Sequence, residues 1–201
     1  MIHEDREFRV RKFSFFSADD PYDLRFSHEI CWSRIYEYPF VLAEIESLGL
    51  ANPRVHNAAW GYVDIHLVFK TWLDLRYPET FHSDIRPSTL HATASWDIAQ
   101  PPSEALHRRF DVVLNVSTLE EVEADHVQVI KNHLVQVRTG GRFIATFDVP
   151  GLDLERVEHF VGEKIVTPRR KLSPRNSRLE DRKLGLPNDF AVGYLVLDCV
   201  G

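Results

Sequence analysis

Residues 110–122, FDVVLNVSTLEEV, restrict the possible folds of this chain more than any other stretch. Val112, Val113 and Leu114 are apolar without alternation, the pattern of a strand covered on both faces inside a parallel sheet. Asn115 and Ser117 then bring hydrogen-bonding groups to its carboxyl end, where open α/β sheets bind ligands. Glu120 and Glu121 follow, at the start of what reads as a helix. The rest of the chain supplies the layers such a strand needs, because helical and strand patterns alternate from residue 30 to residue 200.

Val41, Ile45 and Leu48 line one face of a helix that Gly49 can close. A strand fits Arg54 to Ala58, and Ile65, Val68, Phe69 and Trp72 have the spacing of a second amphipathic helix. Strands are expected at Thr80 to Ile85 and Leu90 to Trp96. Beyond the central strand, Val127, Ile130, Leu134 and Val137 repeat at helical spacing, with Gly140-Gly141 as the stop before a strand from Arg142 to Phe147. Asp153 can cap a helix that ends at Gly162, and Ala191 to Val200 is a last strand. Residues 1–30 read as an N-terminal extension or arm, and residues 31–201 as a single domain. Within the arm, Glu7 to Phe16 alternates loosely, as an edge strand, an arm on a partner subunit or a cover over a cleft would; a homodimer stays open on this ground.

With 201 residues, 44% of them apolar, the chain can bury one substantial core. Its net charge of −6 gives no global reason to expect nucleic acid. Neither a leader peptide nor a stretch of the roughly 20 apolar residues that span a bilayer is visible. Cys31 and Cys199 stand far apart and form no metal-ligand pair, so reduced thiols and a cytoplasmic location are expected. Ten histidines raise the question of a metal. No ligand spacing answers it, and no metal is expected.

Reading the strand ends in order gives Asn57 with Gly61, then Asp84, then Asp97, then Asn115 with Ser117. In a doubly wound sheet such ends converge on one crevice. A carboxylate such as Asp84 can accept two hydrogen bonds from vicinal ribose hydroxyls, and Asp97, or the backbone beside it, can accept from an exocyclic amine. Each acid alone more often caps a helix or makes a turn.

The motifs HSDIRP (His82 to Pro87), SWDIAQPP (Ser95 to Pro102), FDVVLNVSTLEEV and TGGRFIATF (Thr139 to Phe147) together resemble the class I S-adenosylmethionine-dependent methyltransferases over roughly residues 35 to 160. The resemblance implies a Rossmann-like methyltransferase fold of the α/β class, with a mostly parallel central sheet, an antiparallel last strand and helices on both faces. It also implies S-adenosyl-L-methionine as cofactor. Asp84 with Ile85 would hold the ribose side, Asp97 and Ile98 the adenine side, and Asn57, Ala59, Trp60 and Gly61 with Asn115, Val116 and Ser117 the methionine portion. The family's first loop usually reads Asp-x-Gly-x-Gly-x-Gly, whereas RVHNAAWGYVD puts Asn57, Ala59, Gly61 and Val63 at those four positions. Trp60 either walls the site or packs beneath it.

Methyl transfer to a hydroxyl calls for a base, and Glu120 and Glu121 are the nearest candidates. Acids in a first helical turn are also common for dipole reasons. Lys164 to Lys183 holds eight of the 24 basic residues and would suit an acceptor bearing phosphate or carboxylate, or else is a solvated charge run. The expected activity is methylation, at oxygen, of a small or saccharide-like acceptor. A catalytically silent methyltransferase-like binding module is the alternative, and a nicotinamide-dependent oxidoreductase is disfavoured by the absence of Gly-x-Gly-x-x-Gly.

Overall fold

The computed structural model describes residues 1–3, 5–27, 33–61, 64–173, 176–177 and 190–201. Cys31, Val63 and Lys183, named above, lie outside them. The strands are β1 (Ile2–His3), β2 (Arg6–Phe15), β3 (Val55–Ala58), β4 (Phe81–Asp84), β5 (Thr93–Ser95), β6 (Phe110–Val116), β7 (Val137–Val149) and β8 (Ala191–Cys199). The helices are α1 (Arg34–Glu46), α2 (Asp64–Arg76), α3 (His126–Leu134) and α4 (Leu154–Val161). One sheet runs in the order β1-β2-β8-β7-β6-β3-β4-β5. β5, β4, β3, β6 and β7 are mutually parallel, and β8 is antiparallel to both β7 and β2. This is the mixed α/β sheet expected from the alternating pattern.

The unbroken apolar run of β6 is explained by its two neighbouring layers. Val112 and Leu114 face α1 and α2, where Val41, Ile45, Phe69 and Leu73 meet Val55, Ile144 and Val196. Val113 faces α3 and α4, where Val129, Ile130, Leu134 and Val157 meet Ala58, Phe143, Ala145 and Leu195. β2, inside the segment read as an arm, lies beyond β8 and pairs with it from Phe8↔Cys199 to Phe15↔Gly193. Phe8, Phe13 and Phe15 are buried there.

Three boundaries differ from the sequence reading. Val137 is not the last helical position but opens β7, and Gly140-Gly141 lies within that strand. The reason is a close backbone approach: a Cβ on Gly141 would sit 2.7 Å from the Asp111 carbonyl oxygen, at the register shift between β6 and β7. Glu120 and Glu121 belong to a 3-10 turn (Leu119–Glu121), and α3 starts only at His126, capped by Asp125, which accepts from the Val127 amide at 3.0 Å. β5 is confined to Thr93–Ser95 because the chain turns at residues 88–92, where Ser88 and Thr93 exchange backbone hydrogen bonds.

Parallel pairing sets the carboxyl ends of the central strands level. Ala58 stands opposite Ser83 and Asn115, and Asp84 opposite Ser95. Side chains just past those positions therefore share one rim. No helix among the described residues is long and apolar enough to cross a membrane.

Candidate active site

A cleft of about 430 Å³ opens at this rim, inside the size range of small-molecule sites. The β3 loop contributes Ala59 and Gly61, the β4 end Asp84, Ile85 and Arg86, and the β5 end Trp96, Asp97 and Ile98. Ser117, Thr118, Glu121, Val122 and Glu123 come from the segment after β6, and His66 from α2.

Asp84 is buried and tied to its surroundings. Its Oδ2 accepts from the Gly61 amide at 3.1 Å and its Oδ1 from the Arg86 amide at 3.0 Å. Each oxygen keeps a further lone pair for a ligand hydroxyl. Ile85, 63% exposed, and the buried Trp96 and Ile98 also line the cleft. They give it an apolar stretch suited to a flat base. Asp97 uses Oδ1 to accept from the Ala99 amide at 2.9 Å, which fixes the turn that carries Ile98.

The glycine-poor loop after β3 makes its turn through an alanine. Ala59 adopts φ 51° and Gly61 φ 71°, both in the left-handed region. For Ala59 that conformation costs about 1–2 kcal/mol. It is held by the Ala59 amide donating to the Ser83 carbonyl (2.8 Å) and by Thr118 Oγ1–H donating to the Ala59 carbonyl (3.0 Å). Gly61 has a steric reason as well, since a Cβ there would meet His66 Nδ1 at 2.6 Å. Ser117 is a second non-glycine residue with positive φ (43°) on the cleft wall.

Behind that wall lies a set of acids, Glu37 fully buried and Glu120 and Asp148 partly so. Ser117 Oγ–H donates to Glu37 Oε1 at 2.5 Å, and Arg34 donates to the other oxygen of Glu37. Burial pushes the Glu37 carboxyl up, but the Arg34 guanidinium and hydrogen bonds from Ser117, Thr146 and Arg34 outweigh it and hold the group below its ordinary range. Glu120 accepts from the Asp148 amide at 3.0 Å. Burial, with the negative charge of Asp148 beside it, raises the Glu120 carboxyl well above its usual value. Asp148 is raised to about 7, first by burial and then by the charge of Glu37, with Arg34 opposing. Among the described residues no three His, Cys, Asp or Glu side chains gather as a metal would require.

Of the residues singled out in the sequence, Ala59, Gly61, Asp84, Ile85, Asp97, Ile98, Ser117 and Glu121 line the cleft together. Asn57, Trp60, Asn115, Val116 and Glu120 do not. Asn57 Nδ2 lies 3.3 Å from His82 Nδ1, and Asn115 Nδ2 lies 3.3 Å from His133 Nε2, both in the interior. Trp60 packs beneath the loop, with Nε1–H donating to Thr93 Oγ1 at 3.1 Å. Val116 leans on the α1 and α2 layer, and Glu120 sits under Gly151. The sequence reading missed Arg86, Trp96, Thr118, Val122 and Glu123. Arg86, Trp96, Thr118 and Val122 lie inside motifs it did quote, and Glu123 directly follows one, so the motifs marked the cleft even where these residues were not singled out.

The described part of the basic segment stays away from the cleft. Lys164 pairs with Glu158 (2.5 Å), Arg170 pairs with Asp19 (2.7 Å), and the Lys171 ammonium lies 3.7 Å from the centre of the Phe15 ring.

No protein-family model matches the chain, and no curated protein matches it. Solved structures do. Geranyl diphosphate C-methyltransferase from Streptomyces coelicolor A3(2), in complex with S-adenosyl-L-homocysteine, is 13% identical with a TM-score of 0.50, covering 94% of this chain and 91% of its own. The 1,6-didemethyltoxoflavin-N1-methyltransferase of Burkholderia thailandensis, with bound S-adenosylhomocysteine, is 14% identical with a TM-score of 0.52, covering 82% and 77%. The cyclase SpnF is 12% identical with a TM-score of 0.51, covering 96% and 89%. The chain thus has the class I S-adenosylmethionine-dependent methyltransferase fold.

Proposed function

We propose that the protein is an S-adenosylmethionine-dependent methyltransferase that methylates a hydroxyl of a small, saccharide-like acceptor. The observation that carries the reading is Asp84, a buried carboxylate at the end of β4, set beside an apolar stretch in a cleft of nucleoside size. The groups present suit the cofactor: a carboxylate for vicinal hydroxyls, Ile85, Trp96 and Ile98 for a flat base, and the Ala59–Gly61 backbone with Ser117 for a polar tail. When bound, S-adenosylmethionine supplies an activated methyl group. The work left to the chain is positioning, a large contribution in such a transfer.

In this reading Asp84 fixes the ribose, Ile85, Asp97 and Ile98 the base, and the backbone of the Ala59–Gly61 turn the methionine end. Glu121, exposed on the wall after β6, is the group able to take a hydroxyl proton from the acceptor. Glu120, behind the wall, acts through position and not by touching the acceptor. Asn57 and Asn115 serve the site indirectly, by fixing His82 and His133 beneath it.

A catalytically silent binding module is the second reading. It is favoured by Ala59 in a left-handed turn and by Asp84, whose two oxygens already serve backbone amides. Calorimetry with S-adenosylmethionine, S-adenosylhomocysteine and NAD decides the matter. Micromolar binding of the first two and not the third is expected, lost in an Asp84→Ala variant that still unfolds cooperatively. Failure of both sulfur nucleosides to bind overturns the proposal; binding without methyl transfer to any of a panel of hydroxylated acceptors supports the module.

A further inference from the structure

Two carboxyl groups behind the cleft wall each hold an oxygen that is shielded from solvent and has no hydrogen-bond partner among the described residues: Oε2 of Glu120 and Oδ1 of Asp148. They belong to neighbouring turns. Glu120 lies in the 3-10 turn Leu119–Glu121 and Asp148 near the end of β7, and the Asp148 amide donates to the other oxygen of Glu120 at 3.0 Å. Gly151 closes the contact, since a Cβ there would stand 2.9 Å from Glu120 Cβ. Two ionised carboxylates have nothing to give each other, whereas one proton makes one of them a donor and the other an acceptor. The charges around the pair help to keep that proton. Glu37 on α1 and Glu121 on the 3-10 turn add negative charge, with Arg34 opposing, and Arg34 is itself engaged by Glu37. Beyond Gly151, the Asp153 carboxylate accepts from the Arg156 amide (3.3 Å) and the Asp153 amide donates to His126 Nδ1 (3.1 Å).

We infer that Glu120 and Asp148 share a proton as a latch between the 3-10 turn and the turn that follows β7, and that loss of the proton loosens the cleft wall. Thr118, Glu121, Val122 and Glu123 line the cleft, and each belongs to the 3-10 turn or flanks it. The latch therefore acts on the cleft from behind and touches no ligand. It stands on the packing of two turns, so it is independent of the methyl-transfer reading. Opening exposes the carboxyls to water and lets the proton go. With Asp148 raised to about 7 when closed, against 3.8 ordinarily, each step in pH between those values favours the open form, and above 7 the closed form has lost the proton as well.

Hydrogen exchange of the intact chain, followed by mass spectrometry from pH 5 to pH 8.5 and corrected for the intrinsic base-catalysed rate, tests the latch. Peptides containing Leu119–Val122 and Val149–Leu152 are expected to lose protection together, by up to roughly tenfold for each pH unit from 5 to 7, and to level off above 7. β6 and α3 are expected not to follow. In Asp148→Asn the amide is a permanent donor to Glu120, and in Glu120→Gln the amide is a permanent donor to Asp148, so either variant is expected to flatten the profile of both turns. If Asp148→Asn fails to fold, Glu120→Gln decides the point. A flat profile in the parent, turns that loosen independently of each other, a trend shared by the whole chain, or a folded variant that keeps the parent's slope overturns the latch.

Discussion

Asp148 releases its proton near pH 7, while the same residue in the unfolded chain does so near its ordinary value of 3.8. Between those limits the folded protein holds a proton that the unfolded chain has lost, so stability falls as pH rises across the window. His56, His82 and His133 act in the opposite direction. Burial lowers them to about 3, 4 and 4, against 6.5 when exposed, so they oppose protonation and stability falls as pH drops below 6.5. Each is satisfied as a neutral ring: His56 lies between Gln136 (2.8 Å) and Ser83 (2.7 Å), His82 reaches Asp74 (2.8 Å), and His133 donates to the Val129 carbonyl (2.7 Å). Replacing Asp148 by Asn should separate the two effects. Urea melts are expected to show Asp148→Asn more stable than the parent at pH 8 by on the order of 2–4 kcal/mol, with the gain vanishing near pH 4. An equal gain at both pH values would mean that Asp148 does not titrate near neutrality.

At the scale of elements, Gly141 is the position where β7 and β6 come closest. Gly141→Ala is expected to cost roughly 1–3 kcal/mol, because the neighbours of the added methyl include backbone oxygens, 2.7 Å away at Asp111 and 2.9 Å at Arg138, which cannot rotate aside. A thermal melt within a degree of the parent would contradict that account. The glycine pair was read as a helix stop because a stop and a close strand crossing use the same residue. Similar ambiguity affected the site. Asp84 and Asn57 both stand near strand ends, yet only Asp84 reaches the cleft, because Asn57 is level with His82, two residues short of Asp84 along the strand direction, and meets that ring in the interior. The β6 strand was legible, since an apolar run without alternation has few other uses. The partner of Ser117 was not: Glu37 lies 80 residues earlier on α1, and only packing brings it there.

Over the whole molecule, one edge of the sheet depends on residues near the start of the chain. Phe8, Phe13, Phe15 and Phe16 are all nearly inaccessible to solvent. Burying each contributes about 1.5–3 kcal/mol, against a net stability of about 5–15 kcal/mol for a domain. Arg6 adds a second anchor, donating to the Leu134 carbonyl (3.1 Å) and to the Val137 carbonyl, where the end of α3 meets the start of β7. Removal of residues 1–16 is therefore expected to leave an insoluble or unfolded product, read by the loss of a cooperative thermal transition. A soluble, cooperatively melting truncate would show that the core closes without β2. The loose alternation at Glu7 to Phe16 left three roles open because an outermost strand, half covered, carries the weakest pattern.

Because β2 pairs with β8, a ribosome must make everything between Arg6–Phe15 and Ala191–Cys199 before the two strands can meet. Until then Phe8, Phe13 and Phe15 lack the strand that covers them. Closing so long a loop slows assembly, and the nascent protein has reason to need a chaperone during that wait.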